Sequence, residues 1–136
     1  MSNAQNLAYA VAQVLHNFGA VAAVGGSLAA TKIESADGRK KFAWLALAGW
    51  GAQAVSGAGF GLVSYYFYHQ FPDIAGIAVV ALGIKMLCTA TGFLLVATYL
   101  FRGANWPERK GNAVLLPSVI LAATALSAAA FLRWFS

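Results

Sequence analysis

The chain has 136 residues, 60% of them hydrophobic and only 10% charged, with a formal net charge of +5. That is too little charge to cover a soluble domain of this size, and nothing in the chain resembles a linker or a low-complexity tail. The one cysteine, Cys88, excludes an internal disulfide and offers no thiolate metal site.

Four apolar stretches follow one another: Leu7–Lys32, Phe42–Phe67, Ile74–Phe101 and Val114–Trp134. Each exceeds the roughly 20 residues a helix needs to cross a hydrocarbon core. The sequence therefore predicts an all-α integral membrane protein, a single domain built as a four-transmembrane-helix bundle in the lipid bilayer. The first stretch has no basic residue before it and outruns the apolar part of a signal peptide, which predicts a retained span.

Charge sets the expected orientation. Lys32, Arg39, Lys40 and Lys41 fall between the first two spans, and Arg102, Arg109 and Lys110 between the last two, against Arg133 alone on the opposite side. Cationic short loops stay cytoplasmic, so both termini are expected on the outer, periplasmic side of a bacterial inner membrane. The positive charge reports topology and an attraction to anionic headgroups. No interleaving of aromatic and basic residues suggests a nucleic-acid partner.

Aromatic residues mark the expected boundaries: Trp44, Trp106, Trp134, Tyr65, Tyr66, Tyr68 and Tyr99 are placed at membrane surfaces. Residues 69–73 form a tight turn before a third helix that starts at Ile74, with Asp73 at its positive end. Pro117 is expected in the first turn or two of the fourth helix, where it is tolerated.

Helical spacing then picks out packing faces. The first helix carries Ala8, Ala12, His16, Gly19, Ala23, Gly26 and Ala30, and the second Gly49, Gln53, Gly57 and Gly61 with Ser56 and Ser64 alongside. The third presents Ala78, Ala81, Lys85, Thr89 and Gly92, and the fourth Ser118, Ala122, Ala125 and Ala129. Small residues let helix backbones approach closely in lipid, so each of these faces should point at protein.

An imidazole and an amine in these faces are the best functional lead, because ionisable groups at mid-membrane are costly. His16 and Lys85 lie roughly 14 and 17 Å below the starts of their spans, and Gln53 reaches a similar level from the other side. One polar cluster of Gln13, His16, Asn17, Gln53, Lys85 and Thr89 is expected there. It suits haem iron, proton handling beside a quinone or tetrapyrrole, or a soft metal ion held with Cys88 and Met86. His69, at the surface, lies too far from His16 in depth to share an iron, and its role is open. All four carboxylates, Glu34, Asp37, Asp73 and Glu108, fall in loops or at interfaces, so Ser/His/Asp hydrolysis has no buried acid.

The run Leu15-His16-Asn17-Phe18-Gly19, followed by Gly25-Gly26, resembles the first-helix pattern of the copper-resistance D membrane family and of the bacterial haem-containing protoporphyrinogen oxidases. Lys85, leading an aliphatic stretch that ends at Arg102, resembles their lysine-led third helix. The resemblance implies b-type haem with His16 as axial ligand and Lys85 as a haem- or substrate-associated partner. The aromatic residue expected before the glycine pair is replaced by Ala23 or Val24, and no second mid-membrane histidine is present. Three functions follow as expectations: a redox or electron-transfer haem protein, a copper-handling or other transport protein, and a structural subunit. The short loops and Gly/Ala-rich helices point to other membrane subunits or a homo-oligomer as partners.

Overall fold

A computed structural model describes residues 2–103 and 105–135. Four helices account for most of the chain: α1 (Asn3–Lys32), α2 (Ala36–Tyr68), α3 (Ile77–Thr98) and α4 (Glu108–Phe135). Ser2 caps α1 through the Gln5 N–H, and Ser35 caps α2 through the Gly38 N–H. His69 ends α2 in the left-handed conformation at φ 54°, and Gly76, at φ 56°, turns the chain into α3. After Thr98 the helix widens into a π turn, Tyr99–Gly103, in which the Tyr99 N–H faces both the Leu95 and Val96 carbonyls.

The helices form an antiparallel ring. α1 packs most closely on α2 and α3 on α4, while the α1–α4 and α2–α3 seams close the circle. One end of the bundle carries the α1–α2 turn and the approach to α4, and is called the basic end; the other carries both chain termini. The α1 stripe does face protein: Gly19, Ala23, Gly26 and Ala30 are buried. A Cβ on Gly49 would strike the Ala23 nitrogen and the Gly19 carbonyl oxygen, so these two backbones touch. Gly92 is pinned in the same way under the Trp50 ring. Ala78, Ala81, Ser118, Ala122 and Ala125 are buried as their spacing predicts.

Three helical stretches, Asn3–Lys32, Ile77–Gly103 and Glu108–Phe135, are long and apolar enough to cross a membrane. α2 is the longest helix, at 33 residues, but is less apolar. Glycines, serines and Gln53 dilute its hydrophobic residues, because this helix carries much of the interhelical packing.

Several boundaries differ from expectation. α3 starts at Ile77, so Asp73 lies in a loop ahead of it rather than on its first turn. α4 starts at Glu108, which puts Pro117 well inside the helix. Tyr99 is buried at 1% exposure and packs inside the bundle beside Arg39 and Gly111. Gly57 is exposed with open space at its Cβ position, so the packed face of α2 runs through Gly49, Gln53 and Ser56 and leaves Gly57 out.

These contacts separate glycines that look alike in sequence. Gly49→Ala and Gly92→Ala are expected to lower stability by about 1–3 kcal/mol through overpacking. Gly57→Ala should be neutral or slightly stabilising, because it adds helix propensity where nothing is crowded. Thermal unfolding in mild detergent would check the contrast, and equal midpoints for all three variants would contradict this packing.

Candidate functional site

Two polar side chains on diagonally opposed helices meet inside the bundle. Lys85 Nζ, from α3, lies 2.8 Å from His16 Nε2, from α1. The α1 and α3 backbones themselves make no close approach, so the long lysine side chain spans the gap between them. Both residues are half-buried.

The other imidazole nitrogen fixes the tautomer. His16 Nδ1 is 2.7 Å from Ser56 Oγ on α2. The Ser56 hydroxyl spends its single hydrogen on the Ala52 carbonyl one turn back. With that hydrogen so directed, Ser56 Oγ accepts from His16, and the tautomer assigned from this network carries its hydrogen on Nδ1. Nε2 is left as the lone-pair nitrogen, and Lys85 donates to it.

Around this pair the main chain is held as well. Gln53 Nε2 donates to the His16 carbonyl, and Thr89 Oγ1 donates to the Lys85 carbonyl at 2.9 Å. Phe60 meets the imidazole edge-on at 5.8 Å between ring centres and stacks on Tyr9 at 6.3 Å. Of the residues expected in the cluster, His16, Lys85 and Gln53 come together, and Thr89 braces the lysine from one turn away. Gln13 and Asn17 do not join: they bond to each other at 2.7 Å on an exposed face of α1.

A second layer lies nearer the basic end. The Trp50 indole N–H donates to Ser118 Oγ at 3.0 Å, and Ser118 Oγ is 3.0 Å from Ser27 Oγ. This ties the other diagonal, α2 to α4, with α1 joined in. A third layer centres on Arg39, which falls between the first two apolar stretches of the sequence and is buried at 3% exposure. Its guanidinium donates to the Ile33 carbonyl and lies 3.8 Å from Glu108. Gly111 leaves it room, since a Cβ there would meet both Tyr99 and Arg39.

The side of the His16–Lys85 pair is open. At Trp50 and Gly92 the α2–α3 seam is shut. Toward the termini the same face of α2 presents Ala54 and Gly57, both exposed. The remaining candidates lie apart. Met86 is 63% exposed whereas Cys88 is buried, so the two do not converge on one ion. No group of three His, Cys, Asp or Glu side chains comes together among the described residues. His69 borders a shallow apolar hollow with Leu62, Tyr65 and Tyr66, well away from His16.

Comparison with known protein families, with characterised proteins and with solved structures finds no match to this chain.

The direct contact makes His16 and Lys85 energetically coupled. A double-mutant cycle with His16→Leu and Lys85→Met should give a coupling of about 0.6–1.7 kcal/mol, the range of interhelical hydrogen bonds in lipid. The same cycle between Asn17→Leu and Lys85→Met should give a coupling near zero. Unfolding in mixed micelles reads both, and a cycle without coupling at His16 would remove the contact.

Proposed function

We propose that the chain is a four-span membrane protein that binds b-type haem through His16 and serves a redox or electron-transfer role, as a small subunit of a larger membrane complex. The observation that carries this reading is the orientation of His16. Its Nδ1 faces Ser56, so Nε2, which meets Lys85 on α3, is the nitrogen that iron would take. A histidine whose distal N–H is anchored by a hydrogen bond is the usual state of a metal-ligating imidazole.

The residues present suit the group. His16 would hold the iron by exchanging the Lys85 amine for the metal at Nε2, which frees Lys85 to pair with a propionate. Bound there, a b-type haem supplies one-electron redox chemistry. Gln53 and Ser56 keep the imidazole in place, and Phe60 shields one edge. A quinone or a tetrapyrrole dissolved in the bilayer is the substrate class with access to this side. The resemblance of the first and third helices to haem-containing membrane oxidases supports the same reading. A copper-handling role draws less support, because Met86 and Cys88 face different ways.

The topology belongs to the same proposal. α2 runs alongside α1 from the basic end up to the His16 layer and beyond, where Tyr9 stacks on Phe60, which supports it as the fourth span. The cationic turns then face the cytoplasm and both termini the periplasm of a bacterial inner membrane. The uncovered Ala54, Gly57 and Ala58 face of α2 suits a neighbouring helix, from another subunit or a second copy.

The test is an optical spectrum of gently solubilised protein, oxidised and reduced. A Soret band is expected that His16→Ala abolishes, Ser56→Ala shifts and Lys85→Ala alters. Lys85→Met should preserve the band while changing the potential, because it removes the charge partner and leaves the ligand. A parent without haem, or a His16→Ala variant with the parental spectrum, would overturn the proposal.

For orientation, Asn3→Cys and Lys110→Cys in a Cys88→Ser background should label from opposite sides of the membrane. Outside labelling is expected at position 3 alone, and the reverse pattern would invert the topology.

A further inference from the structure

The basic end carries more cation than the fold consumes. Seven basic residues gather there, Lys32, Arg39, Lys40, Lys41, Arg102, Arg109 and Lys110, against Glu34, Asp37 and Glu108. Arg39 is buried and engaged with Ile33 and Glu108, so the one acid on α4 is directed at the one buried cation. The other six basic residues are exposed. The terminal end, by contrast, has Arg133 and Asp73.

Two of these cations, Lys110 and Arg102, lie on one corner, at the start of α4 and on the π turn. Trp106 lies flat against Gly103, where any side chain would strike its ring, and its N–H bonds to the Gly103 carbonyl at 2.9 Å. Lys110 Nζ sits 4.2 Å above the centre of the Trp106 ring. Arg102 is carried on the π turn that ends at Gly103. Next to Arg102, Phe101 is 73% exposed and packs edge-on against Trp44, 46% exposed, at 6.0 Å between centres. The corner thus joins cations to an uncovered aromatic pair, which matches a ligand with an anionic head and apolar tails.

We propose that the corner built by the π turn and the start of α4 binds anionic phospholipid. Arg102 and Lys110 take the headgroup phosphate and its net charge, and Trp44 and Phe101 take an acyl chain. A soluble polyanion would satisfy the cations but leave the aromatic pair in contact with nothing. A zwitterionic lipid would bring its own cation against six others. The assignment is independent of the haem reading and of which leaflet the corner faces.

The test uses the full chain in mild detergent with an equimolar mixture of phosphatidylglycerol and phosphatidylcholine, the retained lipids being counted by native mass spectrometry. Phosphatidylglycerol should be retained several-fold over phosphatidylcholine, and the preference should fall as salt rises. The double variant Arg102→Gln, Lys110→Gln should reduce phosphatidylglycerol retention on the order of tenfold, since each cation near a charged lipid surface contributes to binding. Arg102→Lys with Lys110→Arg should restore it, and Arg133→Gln should leave it unchanged. Equal retention of the two lipids by the parent, a preference insensitive to salt, or a double glutamine variant that behaves as the parent would each overturn the proposal. Should the glutamine variant fail to fold, the salt dependence of the parent decides alone.

Discussion

The contact between the α1 and α2 backbones at Gly19, Ala23 and Gly49 is the constraint on which the rest of the bundle depends. In lipid, burying apolar side chains drives nothing together, so association relies on van der Waals contact and on polar groups that cross between helices. Side chains as small as hydrogen and methyl bring the main chains close enough for short polar side chains to reach across. Ser56 on α2 reaches His16 on α1 because these two helices are this near, and Ser27 meets Ser118 across the α1–α4 seam.

Once the neighbouring helices are drawn together, the diagonals are left to long side chains. Lys85 bridges α3 to α1 and Trp50 bridges α2 to α4, one in each polar layer. Two of the long side chains have a glycine making room for them: Gly92 under the Trp50 ring, and Gly111 beside the Arg39 guanidinium one layer further toward the basic end. Small residues thus serve two purposes here, close approach between neighbours and clearance for the side chains that tie opposite helices.

Much of this was readable from spacing alone. The small-residue faces of α1, α3 and α4, and the shared depth of His16 and Lys85, follow from a helical period and a rise per residue, quantities that do not depend on tertiary detail. What failed were questions of azimuth. Gln13 and Asn17 lie within one turn of His16 but are rotated about 60° and 100° around α1 from it, onto an exposed face, and Gly57 falls off the packed line that Gly49, Gln53 and Ser56 define. A run as rich in glycine as Gly49 to Gly61 supports more than one stripe, and only the partner helix selects between them. The burial of Arg39 is not legible in the sequence for a different reason. A cation next to two lysines reads as solvated, and nothing local reveals that the end of α1 turns a carbonyl toward it. Ser56 and Ser118 fall on the faces that helical spacing picks out, but nothing in the sequence pairs them with His16 or Trp50.

The wiring of the His16 layer also limits what it can do. From Lys85 the hydrogen bonds run to His16 Nε2, then from Nδ1 to Ser56, and stop at the Ala52 carbonyl, which has no proton to pass on. Among the described residues no hydrogen bond links this layer to Trp50 and Ser118, or those to Arg39. A proton taken up by the pair has no side-chain route to the basic end. In this layer Ser56 meets one ring nitrogen of His16 and Lys85 the other. The α2–α3 seam beside it is shut at Trp50 and Gly92, while Ala54 and Gly57 further along α2 are exposed.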